Sequence, residues 1–387
     1  MVPNPFTFRR ALGAGQLVDR QAELERLGDV LHDNEVLFLV GPRRFGKTSL
    51  LTAAVDEATR SGLPAAMINV EIHSSLASLA GDIVKVVSGL FRDGLQERSR
   101  RIARWFGMLR PEVKYDALTD SISVGVTAAP DVPEATTLAE ALNAANALAA
   151  DRGQRIAIVL DEFQQVSKLG GLPAERKIRS AIQTHEHVSY VFSGSDTSLM
   201  TALVSDHSRP FYRLGSTLHL GPIPAAEWET FIRDAFSTLG AAMAPGAIDR
   251  CVLVSDLVPY NIQKLCSRVF ARARRAKSTR IEVADVDDAL EAIIGSDHLT
   301  YHALFRSLTA NQREVLTALA ERRGHDFTLA QIARERGIAY STAQSAQKAL
   351  ASIDLLRVPR GSTSSVMRFV DPFFAEWLLA FRRGAFA

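Results

Sequence analysis

The apolar positions of this chain follow two periods. Before residue 224 the clearest apolar stretches are short and unbroken: EVLFLV at Glu35 to Val40, Ile156 to Leu160 within RIAIVLDEFQQV, HVSYVFSGSD at His187 to Asp196, and a run near Thr217 to Leu220. Runs of this length, rich in β-branched residues and lacking polar alternation, suit strands buried on both faces of a parallel sheet. From Pro224 the spacing turns helical, with Trp228, Phe231, Ile232, Phe236 and Leu239 on one face. Further helices are expected over Ala247 to Val254, Tyr260 to Arg275 and Val283 to Ile294.

Towards the C-terminus the helix starts repeat one chemistry. Thr309 with Gln312, Thr328 with Gln331 and Ser341 with Gln344 each have the S/T-x-x-Q spacing of a capping box, in which side chain and backbone satisfy each other reciprocally. Gly337 stands where the second of these helices must end in a left-handed turn, and a third helix, Ser341 to Ile353, follows at once. That is a helix-turn-helix pattern. LLRVPRGSTSSVMRFV then adds a strand, a Gly/Ser turn and a strand, which completes the outline of a winged helix.

Composition narrows the class without naming an activity. A chain of 387 residues exceeds one ordinary core, and with 47% hydrophobic and 23% charged residues it is globular in type. The net charge of +2 argues neither for nor against an anionic partner. MVPNPFTFRR has no apolar stretch behind its charges, and no segment approaches the roughly 18 apolar residues of a membrane span. The expected setting is therefore cytoplasmic, without a membrane partner. Cys251 and Cys266 are too few for a disulfide framework and read as small buried side chains.

The candidate chemistry begins directly after the first apolar run. GPRRFGKTS, Gly41 to Ser49, has the G-x-x-x-x-G-K-[ST] spacing of a phosphate cradle. Gly41 and Gly46 can turn backbone amides inward, and Lys47 opens a helix whose N-terminus carries partial positive charge. In this reading Pro42, Arg43, Arg44, Phe45 and Ser49 complete the loop, Lys47 reaches the β and γ phosphates, and Thr48 ligates Mg²⁺. Arg43 and Arg44 are open to phosphate or a partner, and a solvated loop is the plainer reading of both.

The run Ile156 to Leu160 ends in Asp161 and Glu162. Carboxyl ends of strands in open α/β sheets face the ligand crevice, so both acids should lie beside the loop. Asp161 would hold the Mg²⁺ shell, and Glu162 would polarise the attacking water as general base. Ser193 or Ser195, ending the next strand, could sense the γ-phosphate, with a plain strand-closing turn as the equal alternative. Arg209 and Arg213 are candidates for stabilising charge on the transferred phosphoryl group, in cis or from a neighbouring subunit.

With these residues in place, the chain resembles the AAA-type P-loop ATPases of archaea and bacteria, close to the STAND class of switches. NPF at Asn4 to Phe6, VDRQAEL at Val18 to Leu24, GPRRFGKTSLL, VLDEFQQV, FSGSD and PFY carry the resemblance. It implies an α/β fold with a five-stranded parallel sheet in the order 5-1-4-3-2, a helical lid and a C-terminal winged helix. The implied boundaries are 1–222 for the ATPase core, 223–296 for the lid and 297–387 for the winged helix. It further implies ATP and Mg²⁺ as cofactors and places Asp19 and Arg20 near the adenine. Relatives commonly carry Gly-x-Pro at the lid contact, whereas this chain has Pro259 but Leu257 in the glycine's place.

Two readings of the whole remain open. The first is an ATPase coupled to duplex DNA, read by Ser341, Thr342, Gln344, Ser345 and Lys348 on the third helix, with Arg357, Arg360 and Arg368 of the wing on phosphates. Lys348 is the sole cation of that helix, so its electrostatic footprint is weak. The second is a STAND-like signalling switch in which ATP drives homo-oligomer or protein-partner contacts and the winged helix packs within the chain.

Overall fold

The computed structural model describes residues 2–8, 10–91, 111–116, 121–126, 132–322, 328–357 and 367–386, with the side chains of 111–116 and 121–126 set aside. The chain forms two compact units. One comprises residues 11–41 and 46–221; the other comprises 1–10, 42–45 and 222–387.

The first unit alternates strands and helices: α1 (Gln21–His32), β1 (Val36–Val40), α2 (Lys47–Arg60), β2 (Ala65–Asn69), α3 (Leu76–Gly89), β3 (Pro111–Asp116), β4 (Ser121–Val126), α4 (Glu134–Asp151), β5 (Ile156–Asp161), α5 (Gln164–Ile182), β6 (Val188–Gly194), α6 (Thr197–Ser205) and β7 (Ser216–His219). Its sheet has five strands in the order β2-β5-β6-β1-β7, every pair parallel. Counting only these strands, that is the expected order 5-1-4-3-2 read from the other edge. β3 and β4 form a separate antiparallel ribbon.

The unbroken apolar runs fill this sheet because both faces are covered. Phe38, Ile158, Leu160, Tyr190 and Phe192 pack with α3, α4, α5 and α6 in one core cluster. On the other face lie Leu37, Leu39 and Val159, buried like Leu27, Leu31 and Leu50 of α1 and α2, and the Ser189 hydroxyl donates to the Leu31 carbonyl at 2.7 Å. Each such side chain contributes about 1.5–3 kcal/mol through burial, which is why no polar alternation interrupts the runs.

The second unit is mainly helical, with α7 (Ala225–Ser237), β8 (Ala242–Met243), α8 (Ala247–Val254), α9 (Pro259–Ala276), β9 (Arg280–Ile281) and α10 (Val283–Ser296), followed by α11 (His298–Ser307), α12 (Ala310–Glu321), α13 (Leu329–Glu335), α14 (Tyr340–Ser352), β10 (Leu356–Arg357), β11 (Arg368–Phe369) and α15 (Pro372–Arg382). Trp228, Ile232 and Phe236 of α7 are buried as the periodicity requires, and so are Cys251 and Cys266. Among the described residues no helix is long and apolar enough to cross a membrane.

Thr309 with Gln312 and Thr328 with Gln331 form reciprocal capping boxes, and Gly337 is left-handed with φ 64°. The third box does not form. α14 begins at Tyr340 with Ala339 as its cap, so Ser341 already lies inside the first turn and cannot cap it.

One buried polar cluster of the first unit fixes a protonation state. The Tyr190 hydroxyl meets His185 Nδ1 at 2.8 Å, and His185 Nε2 meets Asn143 Oδ1 at 3.0 Å. Asn143 Oδ1 can only accept, so the neutral ring carries its proton on Nε2 and its Nδ1 accepts from the Tyr190 hydroxyl, whose proton burial retains by raising the phenol far above its ordinary range. Burial pushes the His185 imidazole down to about 4. The unfolded chain therefore takes up this proton first as pH falls below about 6.5, and the contribution to stability is lost between there and about 4. We expect the ring-proton NMR resonances of His185 to titrate near the lower value; a midpoint near 6.5 would contradict this packing.

Candidate active site

The parallel register carries the site. Val40 pairs with Gly194, Asn69 with Asp161 and Leu160 with Phe192, so β1, β2, β5 and β6 end together along one edge. Gly46 caps α2 in a left-handed conformation, φ 88°, which a side chain would strain, and Lys47 opens the helix 5% exposed. The Ser49 hydroxyl accepts from the Leu12 amide at 3.2 Å, bracing this turn from the N-terminal segment. Arg20, 7% exposed, donates to Glu23 at 2.8 Å and to the Gly221 carbonyl at 2.6 Å, while neighbouring Asp19 is exposed with φ 44°.

The Thr48 hydroxyl donates to Asp161 Oδ2 at 3.0 Å, and Asp161 is buried. A hydroxyl and a carboxylate brought together in this way suit a hard cation that takes its other ligands from phosphate and water. Glu162 follows with φ 55°, a left-handed backbone for a residue with a Cβ, held by its own N–H donating to Asp161 Oδ1 at 3.0 Å. That turn aims the Glu162 carboxylate towards the end of β6, where the Ser195 hydroxyl donates to its Oε2 at 2.6 Å. The Phe163 amide donates to the Ser193 carbonyl at 2.8 Å, and rings of Phe38, Phe163, Phe192 and Phe211 pack beneath, with Phe163 and Phe192 centroids 4.3 Å apart. Of the two serines, Ser195 therefore reaches the acid pair. The Ser193 hydroxyl is buried with no partner among the described residues.

Arg209 is engaged elsewhere: it donates to Glu175, a fully buried carboxylate, at 2.7 Å and to the Ser167 hydroxyl at 3.4 Å. This fixes the connection after α6 rather than presenting a cation to phosphate. Arg213 is exposed with φ 53°, its guanidinium 5.2 Å from the Tyr212 ring centre.

At the tip of the glycine loop Arg43 and Arg44 remain exposed, as expected, yet both also find partners in the second unit. Pro42–Phe45 belong to the second unit, and Arg44 Nη1 lies 2.7 Å from Asp371 Oδ2. Asp371 also accepts from the Tyr301 hydroxyl and Asn261 Nδ2, each at 2.9 Å, and caps α15 through the Phe373 amide at 3.1 Å. The Arg44 guanidinium stands 5.0 Å over the Tyr260 ring, the Arg44 carbonyl accepts from the Tyr260 amide at 3.3 Å, and Arg43 pairs with Asp354 at 3.3 Å.

The arginines assigned to the wing also turn inward. Arg357 and Arg368 both hold Asp256, at 2.9 and 3.2 Å, and Arg357 lies 5.0 Å over the buried Phe45 ring. One carboxylate thus holds two guanidiniums, whose side chains are only 14% and 20% exposed, so the structure turns these arginines into the unit rather than out towards a phosphate backbone. Arg360 lies outside the described residues. On α14, Ser341, Gln344, Ser345 and Lys348 form one exposed face with Thr342 half-buried beside it. Pro259 is buried at the first position of α9, and preceding it Asp256 and Leu257 are left-handed, φ 47° and 55°.

Of the partners that escaped the sequence, Asp371 had a signal, an Asp-Pro pair before an apolar helix. Asp256 had none, since its role arises from chain segments that meet only in the fold.

A parallel sheet, a glycine loop leading into a helix from its β1 edge, and an acid pair ending β5 define a P-loop NTPase. The sequence matches the model of a family of ATPase domains found predominantly in Archaea over residues 17–265. The chain belongs to this family, whose activity is ATP binding and hydrolysis. Among solved structures it is similar to a Walker-type ATPase of Pyrococcus abyssi, with 16% identity, a TM-score of 0.66 and coverage of 97% of this chain and 99% of that one. It is also similar to the ORC2 protein of Aeropyrum pernix in ADPNP and ADP complexes, with 14% identity, a TM-score of 0.54 and coverage of 99% and 98%. At such identities the likeness is one of fold. A search of curated proteins finds no match.

Burial alone would raise the Asp371 carboxyl, but Arg44 and the donated hydrogen bonds outweigh it and hold it below the usual carboxylate range. Its contribution is therefore complete above about pH 4 and lost as pH falls further. Asp371→Ala should cost on the order of 3 kcal/mol of stability at neutral pH, because it strands Arg44 and removes a cap. Denaturant unfolding would show a gap from the parent chain that narrows below about pH 4; a gap absent at neutral pH would contradict the assignment.

Proposed function

We propose that this chain is a Mg²⁺-dependent ATPase acting as a nucleotide-driven switch on its own C-terminal region. The observation that supports it most directly is the convergence of Lys47, Thr48, Asp161, Glu162 and Ser195 at one edge of the sheet. The loop from Gly41 to Ser49 cradles the phosphates, and Lys47 neutralises the β and γ groups. Thr48 and Asp161 would hold Mg²⁺, which would supply charge neutralisation at the phosphates. Glu162 takes a proton from water as its oxygen bonds to the γ-phosphorus; the bond to the bridging oxygen breaks, releasing ADP and phosphate. Ser195 orients Glu162, and Asp19 and Arg20 border the adenine side.

In this account residues 1–222 form the core, 223–296 the lid and 297–387 a winged helix. The switch reading is favoured over the DNA reading by Arg357 and Arg368, whose side chains are largely buried against Asp256 within the unit. The exposed polar face of α14 favours the second reading, duplex DNA as partner.

Glu162→Gln should retain ATP binding while turnover falls roughly 10²- to 10⁴-fold, and Lys47→Ala should lose binding. Hydrolysis by the purified chain, with and without duplex DNA at physiological salt, separates the two readings. Unchanged slow turnover is expected; strong stimulation would transfer the assignment to a DNA-coupled ATPase. Wild-type turnover by Glu162→Gln would remove the base assignment itself.

A further inference from the structure

Gln164 opens α5 two residues after Glu162 and is 2% exposed. Its amide donates to Glu162 Oε2 at 2.5 Å and to the Ser195 hydroxyl at 3.4 Å, while Ser195 donates to the same Oε2 at 2.6 Å. The orientation of the amide follows from this: only the NH₂ end can face a carboxylate oxygen. The other end, Oε1, is buried with no hydrogen-bond partner among the described residues. A buried amide satisfied on one side is a poor choice for stability, and an apolar side chain of similar size would avoid the cost.

The backbone makes room for it. A Cβ on Gly194 would come 2.4 Å from Gln164 Oε1 and 2.5 Å from Met200 Cγ. Glu162 meanwhile holds a left-handed backbone. The amide and the strained acid thus meet at one carboxylate oxygen, while a glycine behind the amide leaves space for its unsatisfied end, the pattern of a group held for function.

We propose that Gln164 is a positioning residue for hydrolysis, locking the rotation of the Glu162 carboxylate together with Ser195. This rests on Glu162 being the general base. Two donors on Oε2, from Ser195 and Gln164, together define the plane of the carboxylate. Misplacement of a base by about 1 Å costs on the order of 10²-fold in rate, so the amide acts on kcat and leaves ATP binding alone.

The test is single-turnover hydrolysis with ATP affinity and melting temperature measured on the same samples of the full chain. Gln164→Ala should fold, bind ATP within about threefold of the parent, and hydrolyse roughly 10- to 100-fold more slowly. Gln164→Glu keeps the shape but removes the donor and sets a like charge against Oε2, so it should be at least as slow. A lowered melting temperature with both rates within about twofold of the parent would overturn the proposal and leave Gln164 a packing residue. If Glu162→Gln is slow in the same assay, that failure concerns Gln164 alone. If Glu162→Gln turns over at the parent rate, both the base assignment and this proposal fall.

Discussion

The parallel register of β5 between β2 and β6 is the constraint on which the rest depends. It places Asp161 level with Asn69 and brings the end of β6 to the turn after Asp161, so that Ser195 meets Glu162 without any long-range guidance of its own. A slip of one residue would exchange the side chains of β5 between the two covered faces, taking Ile158 and Leu160 out of the cluster they form with Phe38 and Phe192. The hydrophobic effect that buries these runs therefore also sets the positions of the polar groups at their ends. The chemistry inherits its geometry from the core.

Some departures from ideal backbone lie where that geometry is used. Arg44, Glu162 and Leu257 are left-handed without being glycine and lie in or beside a motif assigned to the nucleotide, whereas Asn34, Lys277 and Asp354 lie in turns elsewhere. Such conformations persist where surrounding contacts over-determine them. For Glu162 the contacts are Asp161, Gln164 and Ser195; for Arg44 they are Asp371 and Tyr260. Four residues of the glycine loop belong to the helical unit while Gly41 and Gly46 on either side belong to the sheet unit.

The sheet was legible because double-sided burial writes itself as unbroken apolar runs, and the helices of the second unit because Trp228, Ile232 and Phe236 keep a helical period. The loop and acid pair were legible because their chemistry requires fixed local spacing. The fates of Arg43, Arg44, Arg357 and Arg368 were hidden. An arginine reads alike whether it faces solvent, phosphate or a distant aspartate, and Asp256, Asp354 and Asp371 lie far away in sequence. Ser341 misled because its spacing to Gln344 fits a cap, while the helix gains its first turn earlier, at Tyr340.

The central claim is that this edge of the sheet holds a metal–nucleotide pair through Thr48 and Asp161, and calorimetric titration of ATP into the purified chain tests it most directly. With Mg²⁺ present, saturable binding with Kd between roughly 1 μM and 1 mM is expected. Chelation of the metal, or Asp161→Asn, should weaken it at least about tenfold, the loss of one charge-assisted contact. Absence of saturable binding with Mg²⁺ present, or binding indifferent to both metal and Asp161, would contradict the account.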